Sequence, residues 1–255
     1  MTQLPKGFLG APIAHRALHD LTQGRAENSP SAIGAAIAAG YGIEIDLQLS
    51  KDGQAMVFHD YDLGRLTEQK GPIRGRTAQE LGQIVLTGGT DTIPTLAQVL
   101  ELVAGRVPLL VELKDQDGAM GANVGILEQA TADALRGYAG PVAVMSFNPH
   151  AVQKMAALAP DVPRGLTTSA YHQQDWLLLP KGTRDRLREI PDYDAVGACF
   201  ISHEAEDLPR PRVVDLKRRG AHVLCWTIKS PEAEARARQI AENVTFEGYA
   251  AAIPA

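Results

Sequence analysis

Short runs rich in β-branched and other apolar residues recur along the chain, each bounded by Gly, Pro or Asp. Eight can be read: Ala11–Arg16, Gly42–Ser50, Pro108–Lys114, Pro141–Phe147, Pro163–Ser169, Ala198–Ala205, His222–Ile228 and Phe246–Ala251. The stretches between them mostly have room for one helix, so the chain reads as βα units feeding a parallel sheet. Eight such units in 255 residues match a closed α/β barrel of the (β/α)8, or TIM barrel, type. A doubly wound sheet fits the length too, but no G-x-G-x-x-G follows the first run.

Caps and breakers place several helices. Ser29-Pro30 starts one that runs to Gly40, Pro94-Thr95 starts another that ends near Gly105, and Ser230-Pro231 starts a third. Lys51-Asp52-Gly53 is a hairpin turn, so Gln54–Asp60 is expected to fold back on the second run as a small insertion at the barrel rim. Tyr61–Thr92 carries no clear barrel strand and reads as a loop or small cap over the mouth. No linker or short repeat divides the chain, so residues 1–255 are expected to form one domain.

Composition narrows the function classes. Apolar residues make up 45% and charged residues 22%, as in ordinary globular proteins. Thirty acidic against 25 basic residues give a net charge of −5, which offers nucleic acid or an anionic membrane no general attraction. The longest apolar stretch, Leu96 to Leu113, is broken by Glu101 and Arg106, so no integral membrane association is expected. The N-terminus has no continuous apolar core of a signal peptide, and a cytoplasmic location is expected. Cys199 and Cys225 lie inside apolar runs and read as buried thiols. The oligomeric state is not legible.

Candidate chemistry begins in the second run, Ile43-Glu44-Ile45-Asp46-Leu47-Gln48-Leu49-Ser50. Strict alternation puts the aliphatic side chains on one face and Glu44, Asp46, Gln48 and Ser50 on the other. Helices cover the outside of a parallel barrel, so the polar face must look inward. Two inward carboxylates need a counter-charge, and a hard divalent cation such as Mg²⁺ or Ca²⁺ supplies it economically. The third run ends with Glu112 and Lys114 on one face, at the strand end where barrel enzymes build their sites. Alone they read as a surface pair; beside the second run, Glu112 completes a carboxylate trio and Lys114 can face an anion. His15 closes the first run and His59 the hairpin, placing two imidazoles at the mouth as a candidate acid–base pair. Arg16 adds a fork that suits phosphate oxygens. Either histidine alone would more simply be structural.

In order and spacing these pieces resemble the glycerophosphodiester phosphodiesterase family. The resemblance rests on His15-Arg16, Glu27-Asn28-Ser29, Gly42-Ile43-Glu44-Ile45-Asp46-Leu47, Ser50-Lys51-Asp52-Gly53, His59-Asp60, Leu63 with Arg65-Leu66-Thr67, Ile93-Pro94-Thr95-Leu96 and Glu112-Leu113-Lys114. It is dense over residues 11–114, continues through Ser146-Phe147 and returns at Val223-Leu224-Cys225-Trp226-Thr227. It implies a barrel of the phosphatidylinositol-phospholipase-C-like type that hydrolyses a phosphodiester with one divalent metal. By the same resemblance Glu44, Asp46 and Glu112 are metal ligands, and His15 and His59 are the acid–base pair. Arg16 and Lys114 contact phosphate, Phe147 and Trp226 form an apolar wall, and Glu27 and Asn28 orient the site. The implied products are glycerol 3-phosphate and an alcohol, from a glycerophosphodiester or a lysophospholipid-like substrate.

Two departures bear on substrate choice. Ala17 stands where many members have glycine, at the start of a loop, Leu18–Ala26, that is expected to shape the leaving-group pocket. The usual last-strand run is replaced by Asn243-Val244-Thr245-Phe246-Glu247-Gly248-Tyr249. Ser202-His203-Glu204-Ala205-Glu206-Asp207 reads as a solvated loop, and His19, His150, His172 and His222 as structural or surface residues without useful partners. Two other outcomes stay open: a lyase that stops at a cyclic phosphate, and a catalytically silent barrel that binds a phosphorylated metabolite. The intact His15 and His59 pair argues against the second.

Overall fold

The computed structural model describes residues 2–254; the Met1 and Ala255 of the expected 1–255 unit lie outside the described residues. In chain order the regular elements are β1 (Ile13–Ala14), α1 (Pro30–Ala39), β2 (Gly42–Leu49), β3 (Ala55–Val57), α2 (Ala78–Leu81), α3 (Leu96–Val103), β4 (Leu109–Leu113), α4 (Ile126–Leu135), β5 (Val142–Ser146), α5 (Pro149–Leu158), β6 (Arg164–Thr168), α6 (Lys181–Arg188), β7 (Phe200–Glu204), α7 (Pro211–Arg218), β8 (His222–Ile228), α8 (Pro231–Ala237) and β9 (Asn243–Phe246). Eight parallel strands close in the order β1-β2-β4-β5-β6-β7-β8-β9, because β1 pairs with both β2 and β9. The expected (β/α)8 barrel is the fold. β3 folds back antiparallel on Leu47–Leu49, as the Asp-Gly turn required, along a stretch of β2 that the two-residue β1 does not reach.

Local chemistry starts the helices where the sequence placed them. The hydroxyls of Ser29, Thr95 and Ser230 accept from the backbone N–H three residues on, with proline at the first turn of α1 and α8. Two strands differ from expectation. The first is only Ile13–Ala14, and the eighth is Asn243–Phe246 rather than Phe246–Ala251. Asn243 explains the second shift: buried in the barrel floor, it donates to the carbonyls of Phe8 and Ala11, so the strand begins at a polar residue that hydrophobic patterning passes over.

The alternation in β2 separates two cores. Ile43, Ile45, Leu47 and Leu49 face outward into a layer shared with Ile33, Leu96 and Val99 of the helices. The inward residues form an apolar floor, where Ile13, Leu110, Met145, Phe200 and Leu224 pack under Phe8 of the N-terminal segment. Above the floor the inward positions turn polar, since β2 and β4 pair Glu44 with Leu110 and Asp46 with Glu112. Gly165 of β6 leaves room for the floor to pack: a Cβ would sit 2.4 Å from the Phe200 ring, which would have to shift. The Tyr61–Thr92 stretch builds a small core of its own, in which Leu63, Ile73, Leu81 and Leu86 pack on Met56 and Phe58.

Cys225 is buried, but Cys199 is only half-buried, at the floor end, correcting the expectation for it. No helix among the described residues is long and apolar enough to cross a membrane.

Candidate active site

A cleft of about 1040 Å³ opens at the C-terminal ends of the strands. Glu44 and Asp46 reach it from β2, Glu112 and Lys114 from the end of β4, and His15, His59 and Trp226 from three other strand ends. Glu44, Asp46 and Glu112 are buried and each offers one oxygen within 4.8 Å of the others. Lys114 Nζ sits between two of them, 2.8 Å from Asp46 Oδ1 and 2.6 Å from Glu112 Oε1. Glu44 has no such cation; it accepts the Arg16 backbone N–H at 2.8 Å.

The electrostatics follow from this asymmetry. Burial, with Asp46 and Glu112 adding repulsion, pushes the Glu44 carboxyl well above its ordinary range. Burial opposes ionisation of Asp46 too, but Lys114, His59 and Arg16 together hold its carboxyl well below the usual range. Glu44 is thus left in the cluster without a cation of its own, and the donors are all hard oxygens. The set therefore fits one divalent cation of the Mg²⁺ or Ca²⁺ class.

Around this cluster the structure places the other expected residues. Asn28 donates from Nδ2 to Asp46 Oδ2 at 2.9 Å and accepts the Asp46 N–H at 3.2 Å, which fixes that carboxylate. Its φ of 60° is left-handed, as are those of Arg16 at 51° and Ala17 at 65°. Ala17 thus occupies a conformation glycine adopts at no cost, at a penalty of about 1–2 kcal/mol. The turn aims the Arg16 N–H at Glu44 and its guanidinium at Glu27, 2.8 Å away. Arg16 Nε is buried and makes no hydrogen bond, but lies 3.5 Å from Asp46 Oδ2 as an ion pair. Phe147 and Trp226 pack edge to face at 5.5 Å on the opposite wall. Trp226 lies where β8 slips register against β9, and its indole N–H donates to the Ser202 carbonyl.

Each histidine has a carboxylate behind it. His15 Nδ1 lies 2.6 Å from Glu247 Oε2, and His59 Nδ1 lies 2.6 Å from Asp60 Oδ1. An ionised carboxylate only accepts, so both imidazoles carry the proton on Nδ1 and keep Nε2 free. Burial lowers the His15 pKa, and the Glu247 bond opposes that fall. Arg65 clamps the second dyad: its guanidinium bonds both oxygens of Asp60 and both of Glu27 at 2.6–2.9 Å.

Glu247, Asp60 and Arg65 were not among the expected site residues. Asp60 and Arg65 lie inside the motifs that carry the resemblance; Glu247 has no local signal, because it follows the displaced last strand. Other expectations are corrected. His222 is not partnerless, its Nδ1 lying 2.7 Å from Glu242, whereas His19 Nε2 makes no hydrogen bond. Ser202 and His203 are buried and Glu204 lines the cleft, so this stretch is not a solvated loop. The Leu18–Ala26 loop closes on itself through Asp20 and Arg25, and its Gly24 packs on Gly89, away from the cleft lining.

The sequence profile of the glycerophosphoryl diester phosphodiesterase family matches residues 15–244. A glycerophosphodiester phosphodiesterase of Caldanaerobacter subterraneus is 30% identical over 159 residues, covering 59% of this chain and 64% of that one. A Bacillus subtilis protein named for the same activity is 26% identical over 204 residues, 76% of each chain. Among solved structures, an Oleispira antarctica phosphodiesterase in complex with the product sn-glycerol-3-phosphate superimposes with a TM-score of 0.76 at 25% identity, covering 94% of this chain and 93% of that one.

Proposed function

The chain belongs to the glycerophosphoryl diester phosphodiesterase family, and we propose that it hydrolyses glycerophosphodiesters to sn-glycerol 3-phosphate and an alcohol, with one divalent cation on Glu44, Asp46 and Glu112 and with His15 and His59 as acid and base. One observation carries this reading: three buried carboxylates share an oxygen cluster between two histidines, each held by its own carboxylate.

When bound, a hard cation there supplies charge neutralisation and polarisation of the phosphoryl oxygens. The Arg16 guanidinium, which lines the cleft, faces the phosphoryl oxygens, and Lys114 adds the second positive charge. His15, its pKa lowered by burial, takes the proton of the substrate's free glycerol hydroxyl at Nε2 as that oxygen attacks phosphorus, and Glu247 stabilises the imidazolium that forms. His59, once protonated, gives its Nε2 proton to the leaving oxygen while Asp60 accepts from its Nδ1–H. After the alcohol leaves, water opens the resulting cyclic phosphate to glycerol 3-phosphate. Asn28 and Glu27 hold Asp46 and Arg16 in place, and Phe147 and Trp226 exclude water beside the glycerol. Two free cysteines suit a reducing compartment and support a cytoplasmic location.

The test is release of glycerol phosphate from glycerophosphocholine and glycerophosphoethanolamine, with Mg²⁺ or Ca²⁺ and after chelation. Release is expected to need the cation and to be lost in His15→Ala and His59→Ala, both of which keep metal binding, whereas Glu112→Gln weakens the metal itself. Near-normal turnover in His15→Ala would sink the acid–base assignment, and a folded protein inactive with either cation would sink the hydrolytic reading. A product that stays cyclic would replace hydrolysis by the lyase outcome.

A further inference from the structure

Two groups on opposite arms of the site must keep a fixed separation. The phosphoryl oxygens that Arg16 faces and the leaving oxygen that His59 protonates hang on one phosphorus, so a displacement of about 1 Å between the two side chains can cost about 100-fold in rate. Yet Arg16 follows β1 and His59 follows β3, strands that do not pair with each other. Each side chain is backed by a carboxylate, Glu27 for Arg16 and Asp60 for His59, and one guanidinium meets both carboxylates. Arg65 Nε and Nη2 donate to Asp60 at 2.6 and 2.9 Å, and Nη1 and Nη2 donate to Glu27 at 2.8 Å each. The Glu27 oxygen that Nη2 reaches, Oε1, also accepts from Arg16 Nη1 at 2.8 Å, and the Asp60 oxygen, Oδ1, also accepts from His59 Nδ1 at 2.6 Å. The chain His59–Asp60–Arg65–Glu27–Arg16 is therefore unbroken, with a planar fork at its centre.

The fork is held in place by the stretch around it. Arg65 ends a short 3-10 turn, Leu63–Arg65, in which Asp62 accepts the Gly64 N–H at 2.8 Å and the Thr67 hydroxyl donates to the Leu63 carbonyl at 2.9 Å. Leu63 is fully buried in the small core that also takes Phe58, the residue directly before His59. One hydrophobic cluster thus seats both the turn that carries the guanidinium and the strand end that carries the imidazole. Arg65 does not itself line the cleft, so it acts on the reaction only through the two carboxylates. Burial works against ionisation of Glu27 and Asp60, and the bonds from Arg65, with those from Arg16 and His59, hold both carboxyls below their ordinary ranges.

We propose that Arg65 is a positioning residue that ties the leaving-group acid His59 to the phosphate-facing Arg16, through Asp60 and Glu27, and that the Tyr61–Thr92 stretch serves the reaction by carrying it. This inference rests on the hydrolytic reading above. The experiment compares two glycerophosphodiesters that differ in how much the leaving oxygen needs a proton: glycerophosphocholine, whose alkoxide does, and the p-nitrophenyl ester, whose phenolate leaves without one. In Arg65→Met, kcat on the choline ester is expected to fall about 10–100-fold, the loss of a hydrogen bond to a charged group, while kcat on the aryl ester stays within about threefold of the parent, because only the first ester draws on a correctly placed acid. KM rises by the same factor on both, since both present the same phosphoryl oxygens to Arg16. Arg65→Lys keeps a positive charge between the two carboxylates but not the fork, and shows the same selective loss in smaller measure; it carries the comparison if Arg65→Met does not fold. An equal fall of kcat on the two esters would make Arg65 a general scaffold residue and overturn the inference, as would a selective fall with KM unmoved, which would leave Arg16 out of the chain. Parent rates on both esters in Arg65→Met overturn it as well and leave the hydrolytic reading standing. A parent enzyme that turns over neither ester overturns both.

Discussion

Replacing Glu247 by Gln tests the proposed base most directly. The substitution keeps the shape of the side chain, and the backbone N–H of residue 247 still donates to the Ile228 carbonyl, so the turn after β9 is preserved. What changes is the charge 2.6 Å from His15 Nδ1. Two unit charges about 4 Å apart attract by about 4 kcal/mol at an effective dielectric of 20. That is an upper bound here, because the Glu247 side chain is 22% exposed and is shared with Lys229 at 2.9 Å. A hydrogen bond to a charged group contributes about 1.5–3 kcal/mol, which converts to a fall of about 10–150-fold in kcat/KM. The sign of the pH effect is fixed as well. Burial already lowers the His15 pKa and Glu247 opposes it, so removing the carboxylate lowers it further. The acid limb of the kcat/KM profile then moves to lower pH while the plateau drops. The assay is that profile on glycerophosphocholine with saturating cation. A Gln variant within about twofold of the parent, with an unmoved acid limb, would show that Glu247 does not support His15 in the reaction.

Two further outcomes concern stability. His203 is fully buried between Thr168 and Asp207, and burial brings its pKa down to about 4. The unfolded chain binds more protons between that value and about 6.5, so stability rises with pH across this window; between pH 7.5 and 5 the parent should lose about 2 kcal/mol more than His203→Gln, measured by urea unfolding. Equal losses would remove His203 as the cause. Gly165→Ala would force its methyl against the Phe200 ring, at 2.4 Å in the unrelaxed structure. It should cost about 1–3 kcal/mol and lower Tm by several degrees, with partial recovery on adding Phe200→Leu; an unchanged Tm would mean that the floor relaxes freely.

Much of this protein is decided within a few residues along the chain. The period of two in Ile43–Ser50 separates an aliphatic face from a carboxylate face before any partner strand is known, and Ser29, Thr95 and Ser230 set helix starts through their own backbone hydrogen bonds. The order of βα units, the hairpin after β2 and the three carboxylates are legible for the same reason. The pairings of charges are not. Glu247 lies 232 residues from His15 and meets it only because β9 closes the barrel on β1, three residues earlier than apolar patterning places the last strand. Lys114 reads in the sequence as free to meet an anion, and the pairing of Asp46 with Glu112 across β2 and β4 puts it between two carboxylates instead. Leu177 and Leu178 carry the same local pattern as the buried Leu179, and only the turn that docks Leu179 on Tyr171 and Leu187 leaves them in water. Local periodicity and capping are governed by neighbours along the chain, whereas the partner of each charge and the exposure of each leucine depend on strand closure and register, which join residues far apart in sequence.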